Sequence, residues 1–381
     1  MTGISQMKTT EVIVIGGGLV GMAVAYGLAR EGAKVTVLDE GDDALRASRG
    51  NFGLVWVQGK GYGLPPYARW SMESARLWPK LAAMLLDESG VDVQLKQPGG
   101  FHFVYSADEA REREARLDWL RERVGVPYPF EMLDHAAVRE RLPGVGPQVF
   151  GASYTPMDGH ANPLKLLRAL YAVCAKHGVQ WARNQHVERI DAAPGAFTVH
   201  GIGRSWNAHK VVLAAGLGNA ALAPGVGLHA PVRPNRGQVL IGERTAHFLD
   251  YPTTYVRQTD EGTIQLGDSM EDVGYDDRTT VDVLGSIARR GVRSFPVLAG
   301  LKLVRAWSAL RVMSPDGFPI YQQSSAFPGA YVVTCHSGVT LAAAHALRIA
   351  PWIAGADAPQ DLDVFAGDRF MNPQRTFDHA H

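Results

Sequence analysis

The residues best suited to chemistry begin near the amino terminus. Gly16-x-Gly18-x-x-Gly21 is followed, 18 and 19 residues past Gly21, by the acidic pair Asp39 and Glu40. Gly16 allows a tight turn, Gly18 lets backbone N–H groups approach a pyrophosphate, and Gly21 permits close packing of a helix on a strand. The turn, Leu19 and Val20 included, leads into a helix over Met22–Glu31 whose N-terminus supplies partial positive charge. Either Asp39 or Glu40 can accept hydrogen bonds from an adenosine ribose. These residues spell a dinucleotide site without separating NAD from FAD. The run Arg46-Ala47-Ser48-Arg49-Gly50-Asn51-Phe52-Gly53 adds a hydroxyl, an amide and guanidiniums suited to a second phosphate contact, the alternative being a solvated loop. Lys60, between Gly59 and Gly61, is a secondary candidate; a surface-turn lysine is its bland counterpart.

Positioning such groups requires a particular frame. Glu11–Ile15 is a short β-branched run that reads as a buried strand, and Lys34–Leu38 is a second one ending on the acidic pair. Strand, glycine turn, helix and strand within about 30 residues make a βαβ unit and imply a parallel sheet. Further along, Trp70–Ser89, Ala107–Val124 and Pro163–His177 have helical patterns, and Ala107–Val124 is rich in Arg and Glu. Val179–Trp181, Val187–Ile190 and Val211–Gly216 read as strands, with Ala215 and Gly216 closing the last on a glycine. Gln238–Ile241, Thr253–Arg257 and Thr263–Leu266 show antiparallel alternation. Tyr331–Thr334 is a strand, and a helix over Val339–Ile353 follows the turn His336-Ser337-Gly338. His336 and Gly338 there also admit a plain packing role.

Composition bounds the function. Lys+Arg and Asp+Glu are both 38 in 381 residues, so no basic excess marks a polyanion or nucleic-acid binder. Cys174 and Cys335 are too few for a disulfide framework, a four-thiolate zinc site or an iron–sulfur cluster held by this chain alone, and no metal site is expected. The first ten residues lack the apolar core of a signal peptide, and no apolar stretch approaches the roughly 20 residues of a membrane span. A cytoplasmic location is the expectation.

With both termini in hand, the chain resembles the D-amino-acid oxidase family of FAD-dependent amine oxidoreductases, glycine and sarcosine oxidases included. The residues carrying the resemblance are the VIGGG-x-x-G turn with its acidic strand end, Val211–Gly216, Arg236-Gly237-Gln238, Arg311…Pro315-Asp-Gly-Phe-Pro319 and the terminal glycine turn. Ala47–Gly61 and Cys335–Leu341 look most like the β subunits of D-hydroxyproline and opine (octopine, nopaline) dehydrogenases.

The resemblance implies an α/β fold, a Rossmann-like FAD-binding domain of glutathione-reductase type interrupted by a mainly antiparallel α+β substrate domain. The first would comprise residues 1–62, 150–228 and 308–381, and the second 63–149 and 229–307. FAD would be bound by Gly16, Gly18, Leu19, Val20, Gly21, Asp39, Glu40, Ser48, Arg49, Asn51, Phe52, Gly53, Leu54, Val187, Ala215 and Gly216. Gly338, Val339 and Thr340 would lie at the flavin's pyrimidine edge, where a helix N-terminus stabilises the reduced anion. Non-covalent FAD is implied, attachment through Cys335 or His336 being the minority alternative. Arg311 and Tyr255 would grip the substrate carboxylate, with His336 and Lys60 as further catalytic candidates. Val312 follows Arg311 where many relatives have proline, and the terminal turn lacks a second arginine that some carry.

The implied reaction oxidises the C–N bond of an amino acid or N-substituted amino acid, with hydride passing from Cα–H to flavin N5 to leave an imine. Electrons would go to partner subunits carrying further flavin and an iron–sulfur cluster. Three alternatives remain at this level: an oxygen-using oxidase, a nicotinamide-dependent dehydrogenase, and a non-catalytic FAD-binding assembly subunit.

Overall fold

A computed structural model describes residues 9–41 and 46–372. Its main sheet runs in the order Ile320–Gln323, Ala330–Thr334, Arg204–Leu213, Thr9–Ile15, Val35–Leu38 and Gln180–Ala182. All but the first of these strands are mutually parallel, as the βαβ reading requires. Val187–Ala193 and Ala196–Gly201 continue the sheet as an antiparallel ribbon on the outer half of Arg204–Leu213. Helices Leu19–Arg30, Pro163–Lys176 and Pro65–Ser89 bury their apolar stripes in one core, with Tyr26, Leu81, Trp78 and Leu170 fully enclosed. Burying such side chains stabilises the unit by roughly 1.5–3 kcal/mol each.

A second body is built from antiparallel strands. Val256–Gln258, Thr263–Leu266, Arg233–Arg244 and Leu303–Met313 form a four-stranded sheet in that order, and the register sets Asn235 opposite Arg311. Gly100–Val104, Gly151–Thr155 and Glu131–Asp134 form a three-stranded sheet. Phe101, Phe103, Leu240, Val256, Leu266, Ile287 and Phe295 make their shared core.

Three boundaries differ from the sequence expectation. Gly151–Thr155 pairs with Gly100–Val104 and Glu131–Asp134, so residues 151–155 join the antiparallel body and not the dinucleotide unit. Leu303–Met313 is one unbroken strand, so the expected break at 308 falls inside a ladder whose hydrogen bonds hold it together. Helix Pro65–Ser89 packs into the core of the parallel-sheet unit, whereas the expected division gives residues from 63 onward to the substrate domain. Its apolar face is wide enough to cover two neighbouring helices, and covering them outweighs its place in the chain. Residues 1–8 and 373–381 of the expected FAD domain lie outside the described residues.

Other elements escape periodicity. Arg233–Arg244 is buried at Asn235 through Ile241, so both sheet faces are covered and the alternation expected of a half-exposed strand is blurred. Thr253–Arg257 does not form the expected strand from its start: Thr253 Oγ1 accepts the Val256 N–H at 2.9 Å and makes a turn, so extended structure begins at Val256. The helix expected over Val339–Ile353 becomes regular only at Ala342 and winds as a π-helix over His345–Ile349.

Candidate active site

The amino-terminal turn is built as the glycines require. Gly16 has φ +111°, and a Cβ there would stand 2.2 Å from the Ala214 carbonyl oxygen. A Cβ on Gly21 would stand 1.9 Å from the Gly16 carbonyl oxygen, so helix, turn and neighbouring strand are in backbone contact. The first helical backbone bond runs from Met22 N–H to the Gly18 carbonyl at 2.9 Å. The amides of Val20 and Gly21 therefore have no acceptor within the helix, which is the donor set an anion needs. Leu19 N–H is taken by Ser48 Oγ at 2.9 Å, tying the Arg46–Gly53 loop to the helix start.

The acidic pair divides its work. Asp39 accepts the N–H of Gly17 at 2.7 Å and of Gly41 at 3.0 Å, holding the turn closed. Glu40 meets His186 Nδ1 at 2.6 Å and also pairs with Arg46. Burial works to raise the Glu40 carboxyl, but hydrogen bonds from His186 and Arg46 outweigh it and hold the group below the usual carboxylate range. Both acids line a cavity of about 990 Å³ together with Gly16, Gly18, Leu19, Val20, Ser48, Arg49, Asn51, Val187, Ala215, Gly216 and Gly338.

Six expected cofactor residues do not line it: Phe52, Leu54, Val339 and Thr340 line the cavity beside it, and Gly21 and Gly53 line neither. Gly21 acts through packing, as its contact with Gly16 shows. Gly53, at φ +96°, makes room instead for Ala161 and the Arg257 guanidinium, which a Cβ would meet at 2.5 and 2.8 Å. Its N–H bonds Asn51 Oδ1 at 2.8 Å, so Gly53 shapes the loop and reaches neither cavity wall.

A second cavity of about 670 Å³ shares Ala47, Asn51, Val312, Cys335 and His336 with the first. Phe52, Leu54, Val339 and Thr340 line it, and so do all four catalytic candidates, Arg311, Tyr255, His336 and Lys60. Lys60 is not a surface-turn residue: its Nζ donates to Ser337 Oγ at 2.6 Å, and Tyr67 donates to the same oxygen at 3.0 Å. Ser337 Oγ also meets His336 Nε2 at 3.2 Å. The terminal turn is clamped from behind by Trp78 Nε1 and Ser74 Oγ, both donating to the Thr340 carbonyl, at 3.2 and 2.7 Å. Thr340 Oγ1 in turn donates to Leu54 O and accepts Trp56 N–H, each at 3.2 Å. Burial pushes the Cys335 thiol up to about 12, which leaves it protonated and a poor nucleophile.

Arg311 enters this cavity already engaged. Its Nη1 donates to Ser269 O at 2.8 Å, and Nη2 pairs with the Asp268 carboxylate. Tyr255 is stacked under Arg290, whose guanidinium carbon lies 3.8 Å from the ring centroid, and burial raises its phenol above the ordinary value.

The residues missed from sequence are His102, Arg113, Arg116 and Asp268, all cavity-lining. The two arginines sit on helix Ala107–Arg123, whose charge density reads as a solvated face. A signal was present: Arg113 shares the helical spacing of Leu117, Leu120 and Val124, the apolar stripe that is fully buried. Arg113 Nε donates to Ser153 Oγ at 2.9 Å and Nη2 to Gln58 Oε1 at 2.8 Å. Gln58 Nε2 reaches the Asp158 carboxylate at 2.7 Å. Burial raises Asp158 to about 7 against the bonds it accepts from Val57 and Gln58. His102 Nδ1 meets Thr254 Oγ1 at 2.9 Å; burial, then Arg113 and Arg116, push it down to about 3, so the ring is neutral.

A glycine-turn dinucleotide cavity opening directly onto a polar pocket, across a parallel sheet and an antiparallel one, defines a dinucleotide-dependent oxidoreductase. The chain belongs to the DAO family of FAD dependent oxidoreductases, which it matches over residues 11–352, and its cofactor is FAD. That excludes the nicotinamide alternative. Among curated relatives it is 44% identical over 369 residues to an opine oxidase subunit of Agrobacterium tumefaciens (strain Ach5), covering 97% of this chain and 100% of the relative. It is also 44% identical over 365 residues to the corresponding opine oxidase subunit of Rhizobium meliloti, covering 96% and 98%. Glycine oxidase from Geobacillus kaustophilus superposes with a TM-score of 0.86 at 22% identity, covering 94% of this chain and 98% of that one, and shows the same fold. No helix among the described residues is long and apolar enough to cross a membrane.

Proposed function

We propose that this chain oxidises the C–N bond of an amino acid or N-substituted amino acid, of D-proline/D-hydroxyproline or opine type, as one member of a larger assembly. The observation that carries the reading is the second cavity, which joins the dinucleotide cavity at Asn51, Cys335 and His336 and gathers Arg311, Tyr255 and Lys60 on its walls. The two opine oxidase subunits, alike over nearly the full chain, support both the substrate class and the assembly.

The Gly16–Gly21 turn, Ser48 and the Gly338–Thr340 turn would hold FAD, which when bound would supply the acceptor for the hydrogen and electron pair leaving Cα. The chain's own contributions are binding, orientation and control of charge. Arg311 offers a fork matched to a carboxylate. Substrate takes that fork by exchanging with Asp268, which keeps the guanidinium's charge balanced and frees a carboxylate acceptor inside the cavity. Tyr255, held by Arg290, adds a hydroxyl donor. Phe52, Trp56, Val104 and Phe318 supply apolar wall that removes water from the reacting carbon. A neutral amine is needed at that carbon, and His102, itself uncharged, adds no repulsion or competing charge. In the assembly, partner subunits carrying further flavin and an iron–sulfur cluster would take the electrons.

The test is anaerobic flavin bleaching with D-proline, cis-4-hydroxy-D-proline, octopine, nopaline, sarcosine and glycine, followed by admission of air. Bleaching that persists in air supports a dehydrogenase that depends on partners. Rapid recolouring overturns the electron-transfer clause in favour of an oxygen-using oxidase. No bleaching with any compound overturns the reading in favour of an assembly role without catalysis.

A further inference from the structure

Arg257, on the strand Val256–Gln258, is fully buried, and only part of its fork is answered. Nε donates to Gln265 Oε1 at 2.8 Å and Nη1 to His160 Nδ1 at 3.2 Å, while Nη2 has no hydrogen-bond partner among the described residues. Neither acceptor is charged. Burial, then the charges of Arg257, Lys96 and His247, push His160 down to about 3, so its ring is neutral. Gln265 stands directly across the ladder from Arg257 and is the neutral isostere of a glutamate that would have balanced the cation in the same place. The carboxylates whose charge reaches the guanidinium, Glu261 and Asp260, are each paired elsewhere, with Lys165 and Lys96. Burial lowers Arg257 only to about 10, so it is charged at neutral pH.

This cation stands behind the loop that walls both cavities. A Cβ on Gly53 would lie 2.8 Å from Nη2 and 3.0 Å from Cζ, and Cζ lies 5.7 Å from the Phe52 ring centroid. Phe52 and Leu54 line the second cavity, and Asn51 lines both. His160 pairs with Leu54 across a short antiparallel ladder, so the guanidinium meets the loop at Gly53 and, through His160, at Leu54. Arg257 itself lines neither cavity, so it acts on their contents through its field and not by contact.

A buried cation with no counter-charge is costly to the folded protein. In return, its field crosses a low-dielectric wall and is weakened little by solvent or salt. A hydride brings two electrons and one proton, so a flavin that accepts it carries one more negative charge than before. Fixed charge near the ring is one of the means by which a protein tunes a flavin.

We propose that Arg257 sets the reduction potential of the flavin: held behind Asn51–Leu54 with its charge left unbalanced, it favours the cofactor that has gained two electrons and a negative charge. The inference goes beyond the substrate reading and needs only the FAD that the family match shows.

The test is the two-electron midpoint potential of the FAD-loaded protein, read anaerobically during dithionite reduction against a reference dye. Arg257→Met is expected to disfavour reduction at least about tenfold, a potential lower by about 30 mV for a two-electron couple. Gln265→Glu keeps the shape of the side chain and sets a carboxylate on Nε, and it should shift the potential the same way by about threefold or more. Arg257→Lys keeps the charge and should stay within about twofold of the wild type. FAD content and melting temperature show that each variant folds and holds its cofactor; if Arg257→Met fails there, Gln265→Glu decides alone. An unchanged or raised potential in Gln265→Glu, or an unchanged one in a folded Arg257→Met, would overturn the proposal. So would a fall in Arg257→Lys as large as in Arg257→Met, because the fork's hydrogen bonds and not its charge would then be responsible. No amine enters the measurement, so its outcome is separate from that of the bleaching test.

Discussion

Replacing Gly21 with alanine tests the turn on which cofactor binding depends. The added Cβ would lie 1.9 Å from the Gly16 carbonyl oxygen, and ordinary contact begins at 3.4 Å, so the backbones must separate by about 1.5 Å. Ala214 Cβ lies 3.3 Å from the same position, so the helix cannot yield toward that strand. The turn itself must then deform, and with it the helix start at Leu19 and Val20 that lines the first cavity. Forcing a carbon into a packed site costs about 1–3 kcal/mol, which corresponds to a loss of FAD affinity of about 5- to 150-fold if the turn carries the strain. The assay is fluorescence-quench titration of apoprotein with FAD, alongside FAD content on purification and thermal melts with and without added FAD. Gly144→Ala is the control, since nothing lies within 4 Å of its new carbon, and its FAD affinity should equal that of the wild type. A Gly21→Ala protein with unchanged FAD affinity and melting temperature would refute the claim that backbone contact at this glycine shapes the cofactor site.

Two further outcomes follow from the site. Arg311→Met should raise the KM for amine substrates about tenfold or more while FAD stays bound, since the fork touches the second cavity and not the phosphates; an unchanged KM removes Arg311 from the carboxylate clamp. Asp158, raised to about 7 in the folded chain from an ordinary value near 4, binds its proton more tightly when folded. Its contribution to stability is therefore complete below about pH 4 and is lost as pH rises to about 7. The melting temperature of the wild type minus that of Asp158→Asn should fall across that window and level off above it, and a difference that rises instead would contradict the burial argument.

Much of the dinucleotide half was legible in the residues. The Gly16–Gly21 spacing, the strands on either side and the acidic pair are local: each requirement is met by neighbours in the chain, so type and spacing are enough to reveal it. The division of labour within the pair was not legible. Asp39 is spent on the Gly17 and Gly41 amides, a role visible only when the strand end is brought against the turn. Gly53 misled for the same reason, because its neighbour is Arg257, 204 positions away by number, and not the cofactor cavity.

The parallel sheet and a dinucleotide site can be read from the residues in chain order, because backbone turns, helix N-termini and buried strands are encoded over a few positions; the family and the flavin come from the resemblance carried by motifs at both ends of the chain. Packing between distant segments settles who shares the second cavity. Arg113 reads as one more charge on a solvated helix until Leu117 and Leu120 turn its face inward. Lys60 reads as a surface lysine until the helix Pro65–Ser89 and the Gly338 turn bring Tyr67 and Ser337 to it. Arg311 reads as a free clamp until the sheet places Asp268 against its fork. Charges on separate elements acquire their chemistry from who stands within a few ångströms, and the closing of one sheet over another sets those distances.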